Sequence, residues 1–291
     1  MGWRTVVITK TSKLDYSLGY MVVRDVENTM KIHISEISII IVGSTSVSLT
    51  AYLLNELTKS KVKVIFCDEK RNPSFELVPY FGCHDCSLKI KKQIAWDDNT
   101  KKYIWTEIVS EKIRKQAEVL CIFESDKSEM LLRYVDEIEF GDCTNREGHA
   151  AKVYFNELFG MKFSRSQDTP VNSALNFGYS LILSVVNREV VCSGYLTQIG
   201  IFHDNMYNQF NLSCDLMEPI RPVVDLCVKE MNPQTFGKNE KITLLELLNK
   251  EFRVSGRTNT LLNAIKIYCR SVFCALGEKD VTLISFIDYE L

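Results

Sequence analysis

Apolar spacing along this 291-residue chain falls into two regimes, strand-like with one helical interlude and then helical, and that division limits the folds open to it. Through the first eighty or so residues the apolar positions mostly follow strand rules. Arg4 to Thr9 is rich in Thr, Val and Ile, and Tyr16 to Val23 continues the pattern with a break at Gly19. Met30 to Ile34 alternates with period two, and Ile37 to Val42 is a continuous run of the fully buried kind. Between these runs only Ser48 to Lys59 has helical spacing, through Leu49, Leu53, Leu54 and Leu57, with Ser46 as its cap, before Lys61 to Cys67 returns to strand. The character shifts near Asn72-Pro73, and from the domain boundary onward the spacing is helical to the end. The expectation is an α+β protein: a small β-rich domain over residues 1–82, then a larger all-helical domain over 83–291, with the boundary between Pro79 and Ser87.

The helices expected in the second domain are Leu88–Trp96, Lys102–Leu120, Cys121–Tyr134 with a break at Ser125-Asp126, and Glu147–Leu158 capped by Thr144 or Asn145. Ser173–Glu189, preceded by Pro170, is apolar enough to be central. A helix beginning near Glu218 and running through Val228, then Thr243–Phe252 and Thr260–Leu276, completes the set.

Composition matters for what it excludes. With 46% hydrophobic and 25% charged residues the chain is an ordinary globular protein, and no apolar run approaches the ~20 residues of a membrane span. Arg4 and Lys10 interrupt the first apolar run, so it does not read as a signal peptide. Ten scattered cysteines in mostly apolar context suit a reducing cytoplasm rather than a disulfide scaffold. A net charge of −2 means that a polyanion partner must be met by a local patch. Between Lys89 and Lys115 eight basic residues face four acids, while Glu124 to Asp142 holds seven acids against Lys127 and Arg133. This asymmetry suits either solvated faces or a phosphate-tracking stripe beside an acidic surface.

The chemistry-bearing stretch is Phe202-His203-Asp204 followed by Asp215-Leu216-Met217-Glu218-Pro219-Ile220-Arg221-Pro222. On a helix, Asp215 and Glu218 would share one face. Imidazole with carboxylates is a donor set for Mn²⁺, or for Mg²⁺ with waters. The same residues also suit a solvated surface. Cys83-His84-Asp85-Cys86 lacks the second pair of a structural zinc site, and there is no Gly-rich phosphate loop and no nucleophile elbow.

This order of segments resembles the CRISPR-associated Cas-one integrase family. The resemblance rests on the His203 segment, the Asp-Leu-Met-Glu-Pro-Ile-Arg-Pro run, Arg146-Glu147-Gly148 upstream, and Pro170-Val171-Asn172-Ser173-Ala174-Leu175-Asn176-Phe177-Gly178-Tyr179 between them. It implies that Glu147, His203 and Glu218 are catalytic and hold Mg²⁺ or Mn²⁺, with Glu218 where many relatives have Asp. Asp215 matches a further family acid, which either supports the site from behind or serves as an occasional ligand. Arg146 suits a phosphate contact or a surface pair, Arg221 a carboxylate or a phosphate, and Asn172 and Asn176 a DNA contact or buried hydrogen bonds. His149 reads as surface or packing, and Tyr179 as core or a substrate contact.

The resemblance further implies a metal-dependent DNA integrase and endonuclease that inserts captured fragments into a repeat array by transesterification. Its partners would be double-stranded DNA, a second copy of the chain docked through the β-rich domain, a Cas-two protein bridging two dimers, and other adaptation and effector proteins of a type II system. A non-integrating nuclease and a non-catalytic scaffold are the alternatives.

Overall fold

The computed structural model describes residue 2 and residues 4–79 and 83–289. Residues 80–82, within the stretch where the sequence sets the domain boundary, lie outside those described. The chain divides into two compact units, residues 1–82 and 83–291.

The first unit runs β1 (Arg4–Ile8), β2 (Ser12–Ser17), β3 (Tyr20–Arg24), β4 (Thr29–His33), β5 (Ile37–Val42), β6 (Val47–Leu49), α1 (Ala51–Lys59), β7 (Lys63–Cys67) and β8 (Pro73–Leu77). These strands form two four-stranded sheets, ordered β1-β5-β7-β8 and β4-β3-β2-β6. β5 lies between two parallel neighbours and is buried along its whole length, which its Ile-Ser-Ile-Ile-Ile-Val sequence requires. The break at Gly19 is a hairpin turn. Leu18 and Gly19 both take positive φ, 49° and 87°, and reverse the chain between β2 and β3. Leu14, Met21, Ile40, Leu53, Leu57 and Val64 come from both sheets and α1 and share one core.

Two local expectations fail in this unit. The helix expected from Ser48 begins only at Ala51: Thr50 caps α1, accepting the Leu53 N–H at 3.3 Å, while Val47–Leu49 is the strand β6 and Ser46 lies ahead of it. β8 was not expected, because Pro-Ser-Phe-Glu-Leu opens on proline and alternates poorly. It is an edge strand, where a proline at the first position removes no needed donor.

The second unit is mostly helical: α2 (Cys86–Ile94), α3 (Asp98–Ile122), α4 (Lys127–Asp136), α5 (Arg146–Phe159), α6 (Pro170–Cys192), α7 (Asn211–Met217), α8 (Arg221–Met231), α9 (Lys238–Glu246) and α10 (Leu261–Glu278). The all-helical reading needs one correction, a three-stranded antiparallel sheet of β9 (Glu251–Val254), β10 (Arg257–Thr260) and β11 (Ile287–Asp288), in the order β10-β9-β11. α9 therefore stops at Glu246, short of the expected Phe252. Ser255 and Gly256, at φ 49° and 72°, make the β9–β10 turn.

Two long helices organise this unit. α3 packs against α4, α5, α8 and α10, and α6 packs against α7, α8, α9 and α10. Thr169 caps α6 by accepting the Asn172 N–H, and Pro170 fits the first turn. Gly178 lets α6 approach α8 closely, since a Cβ there would sit 2.4 Å from a Val224 methyl carbon.

Candidate active site

Glu147 lies in the first turn of α5. Neither Thr144 nor Asn145 caps this helix. Asn145 takes a left-handed conformation, φ 54°, and the capping group is Asp142, three residues further back. Its carboxylate accepts the N–H of Arg146 at 2.7 Å and of Glu147 at 3.2 Å, which fixes the start of the helix and the base of the Glu147 side chain.

His203 sits on a loop that Asp215 holds from within. Asp215 is fully buried in α7 and accepts backbone N–H groups of Ile201, Phe202 and His203 at 2.6, 3.1 and 3.1 Å. His203 Nδ1 lies 2.6 Å from the same carboxylate. Only glycine fits at position 200, because a Cβ would meet the His203 carbonyl at 2.3 Å. The bond to Asp215 raises the imidazole above its ordinary pKa despite partial burial, and Glu218 and Glu147 add to this by charge. With Nδ1 committed to Asp215, Nε2 is the nitrogen left for chemistry. Phe202 and His203 both lie against the Trp105 indole, Phe202 stacked at 4.4 Å and His203 edge-on at 5.7 Å.

Glu218 opens the short 3₁₀ turn Glu218–Ile220 between α7 and α8. Asp215 and Glu218 consequently do different work: Asp215 binds the His203 loop, while Glu218 joins a buried ionic cluster. Its Oε1 accepts Arg221 Nε at 2.9 Å and its Oε2 accepts Lys112 Nζ at 2.5 Å. Burial alone would raise its pKa, but the charges of Lys112 and Arg221 prevail and hold it at about 2.

Lys112, on α3, is the residue that sequence reasoning did not single out. It is 6% exposed, and its ammonium donates to both Glu147 and Glu218. Burial would deprotonate it; the two carboxylates keep it charged. The signal was its spacing, since its helical neighbours Trp105, Ile108, Gln116 and Val119 are all buried. The lysine-rich run is therefore not one stripe. Lys91, Lys92 and Lys102 are exposed, whereas Lys112 and Lys115 are buried in ion pairs.

The remaining candidates divide. Arg221 pairs with Glu218 and lies over the Tyr179 ring at 4.7 Å, while the Tyr179 hydroxyl donates to Asp225. Arg146 pairs with Glu137 at 3.0 Å, beside Tyr134. Asn172 is committed to the loop before α6: it accepts from Arg165 at 2.6 Å and donates to the carbonyls of Ser164 and Gln167. Asn176 accepts from Arg165 as well, and His149 is exposed. The Cys83 and Cys86 sulfurs lie 3.5 Å apart.

The side chains here with the donor chemistry for a divalent cation are Glu147, Glu218 and His203. Two carboxylates already close around one cation, so the donor set fits. Among the described residues, no three His, Cys, Asp or Glu side chains form a ready-made metal cluster, and the cation between the carboxylates is Lys112.

The sequence matches the family described as "CRISPR associated protein Cas1" over residues 5–253. The chain belongs to the Cas1 family. A protein named CRISPR-associated endonuclease Cas1, from Neisseria meningitidis serogroup C (strain 8013), is 33% identical over 286 residues, covering 96% of this chain and 94% of that protein. Among solved structures, a casposase bound to integration product matches this Cas1 chain with a TM-score of 0.78 at 18% identity, covering 96% of this chain and 93% of that one. A Cas6-RT-Cas1–Cas2 complex matches with a TM-score of 0.70 at 15% identity, covering 99% of this chain and 36% of that one. These two likenesses are of fold. No helix among the described residues is long and apolar enough to cross a membrane.

Proposed function

We propose that this Cas1 protein is a metal-dependent DNA integrase and endonuclease that joins captured DNA fragments into a CRISPR repeat array. The observation that carries this reading is the convergence of Glu147 and Glu218, from separate helices, on one buried cation beside an imidazole that Asp215 orients. Paired carboxylates around a cation, next to an oriented histidine, are suited to phosphodiester chemistry, where charge develops on the transferring phosphoryl group.

Glu147, His203 and Glu218 would hold Mg²⁺ or Mn²⁺, which would supply Lewis acidity at the phosphodiester and a template for the attacking oxygen. The chain's own groups prepare that place. Asp215 fixes the ring of His203 and presents Nε2. Arg221 holds the Glu218 carboxylate through Oε1. Asp142 fixes the helix start that carries Glu147. The Trp105–Phe202 stack shields one side of the imidazole from water. In the reaction the 3′-hydroxyl oxygen of a captured fragment bonds to a phosphorus of the array as the bond from that phosphorus to the array's own 3′-oxygen breaks, and that oxygen leaves as a 3′-hydroxyl carrying a proton; with water as nucleophile the same exchange cuts the strand.

The partners are double-stranded DNA, both fragment and array, a second copy of the chain docked through residues 1–82, and a Cas-two protein bridging two dimers. Type II adaptation and effector proteins complete the assembly in the cytoplasm. Exposed Lys91, Lys92 and Lys102 offer contacts to DNA phosphates. Support for the DNA and Cas-two partners comes from the fold shared with a casposase bound to its product and with a Cas1–Cas2 complex.

The test is strand transfer. The protein, with its Cas-two partner, is incubated with labelled duplex, a repeat-bearing plasmid and Mg²⁺ or Mn²⁺. Label joins the plasmid, and joining falls at least about a hundredfold in folded His203→Ala and Glu218→Ala proteins that still bind DNA. Release of label without joining would replace integration with plain nuclease action. No metal-dependent chemistry would leave a scaffold.

A further inference from the structure

Lys112 has no place in the chemistry just described, yet it occupies the centre of the site. Its ammonium is buried and bonded to the two carboxylates that the proposed reaction needs for a divalent ion. A divalent ion such as Mg²⁺ needs contact at about 2.1 Å with carboxylate oxygens. Glu218 Oε2 already carries the lysine Nζ at 2.5 Å, and its Oε1 carries Arg221 at 2.9 Å. A divalent ion bound to Oε2 beside the Lys112 ammonium would put two positive centres in near contact, and in a buried setting they repel strongly.

We infer that Lys112 is an internal counter-cation: it holds Glu147 and Glu218 together in the metal-free protein and competes with the divalent ion for them. This rests on the metal-dependent reading above. Several features of the site support it. Without a central positive charge, Glu147 and Glu218 would repel one another and the partly buried site would open. α3 is a 25-residue helix packed on several sides, so the backbone under Lys112 is fixed and release must come from the side chain, which has four rotatable bonds. Metal loading is thereby coupled to withdrawal of one ammonium. A protein carrying this device stays folded without metal and loads it only where the ion, or the ion with a phosphate ligand, outcompetes the lysine.

The competition is measurable without any turnover. Mn²⁺ is titrated into the full-length protein by calorimetry, with melting temperatures recorded with and without Mn²⁺. Lys112→Met should bind Mn²⁺ at least about tenfold more tightly than wild type. Its metal-free form should melt lower, and saturating Mn²⁺ should raise its melting temperature more than it raises that of wild type. Lys112→Arg keeps the charge and should stay within about threefold of wild-type affinity. If Lys112→Met does not fold, the wild-type protein still answers. Acetylation of Lys112, read by mass spectrometry, should accelerate several-fold when Mn²⁺ is added, while that of Lys115, paired with Glu118, does not change.

Equal or weaker Mn²⁺ binding by Lys112→Met, or unchanged acetylation of Lys112, would overturn the inference while leaving the metal site intact. Absence of Mn²⁺ binding by wild type would overturn the metal reading and this inference with it.

Discussion

The two units of this protein bury different things. In the first, the buried polar side chains among the described residues are Ser12, Ser38 and Lys63, set in a core of Ile, Leu, Val and Met. Lys63 meets Glu76 across neighbouring strands at 2.5 Å. In the second, Glu111, Lys112, Lys115, Asp142, Arg188, Glu189, Asp215, Glu218 and Asp225 are all buried. Burying a charge is costly unless it is paired, and a buried pair is seldom more stable than an apolar pair of the same shape. A unit that keeps so many is built for something beyond stability: Arg188 and Glu189 pair on α6, while Lys112 of α3 meets Glu147 of α5 and Glu218, which follows α7. The first unit is a packed platform; the second holds its chemistry in place with charge.

The comparison can be broken most sharply at Asp215. Asp215→Ala leaves three backbone N–H groups and the His203 ring without their acceptor. It should cost about 3–5 kcal/mol in chemical denaturation and abolish strand transfer. A loss below about 1 kcal/mol would mean that the His203 loop is held by other contacts.

A milder test moves the second unit toward the character of the first. Burial pushes the Asp225 carboxyl up to about 6 from an ordinary 3.8, with the Tyr179 hydroxyl donating to it. A carboxyl raised in the folded state binds its proton more tightly there. Its contribution to stability is therefore complete below about pH 4 and is lost as pH rises through about 6. Above that the ionised group costs about 3 kcal/mol, two pKa units' worth. Asp225→Asn should accordingly melt higher than wild type at pH 7.5, with the gain vanishing near pH 4. A gain independent of pH would contradict the assignment to this carboxyl.

How much of this was legible in the sequence depended on whether the cause was local. The continuous apolar run of β5 and the long apolar face of α6 announce themselves, because burial of a whole element leaves a whole-element pattern. The β9–β10 hairpin did not, since Leu244, Leu245, Leu248 and Phe252 keep helical spacing across a chain that turns to strand at Glu251. Asp142 escaped notice because a left-handed Asn145 moves the cap outside the usual window. The His203, Asp215 and Glu218 segment was conspicuous by its types, but the distinct roles of its two acids depend on partners far away in the chain. Glu218 meets Lys112 across 106 residues, and no spacing rule reaches that far.

The central claim is that Glu147, His203 and Glu218 form one metal site. Crystals of the protein soaked in Mn²⁺ and measured at the manganese absorption edge test it directly. The account predicts a single anomalous peak within coordination distance of Glu147, His203 Nε2 and Glu218, with the Lys112 ammonium moved out from between the carboxylates. A peak elsewhere, or none while Lys112 stays bonded to both glutamates, would contradict it.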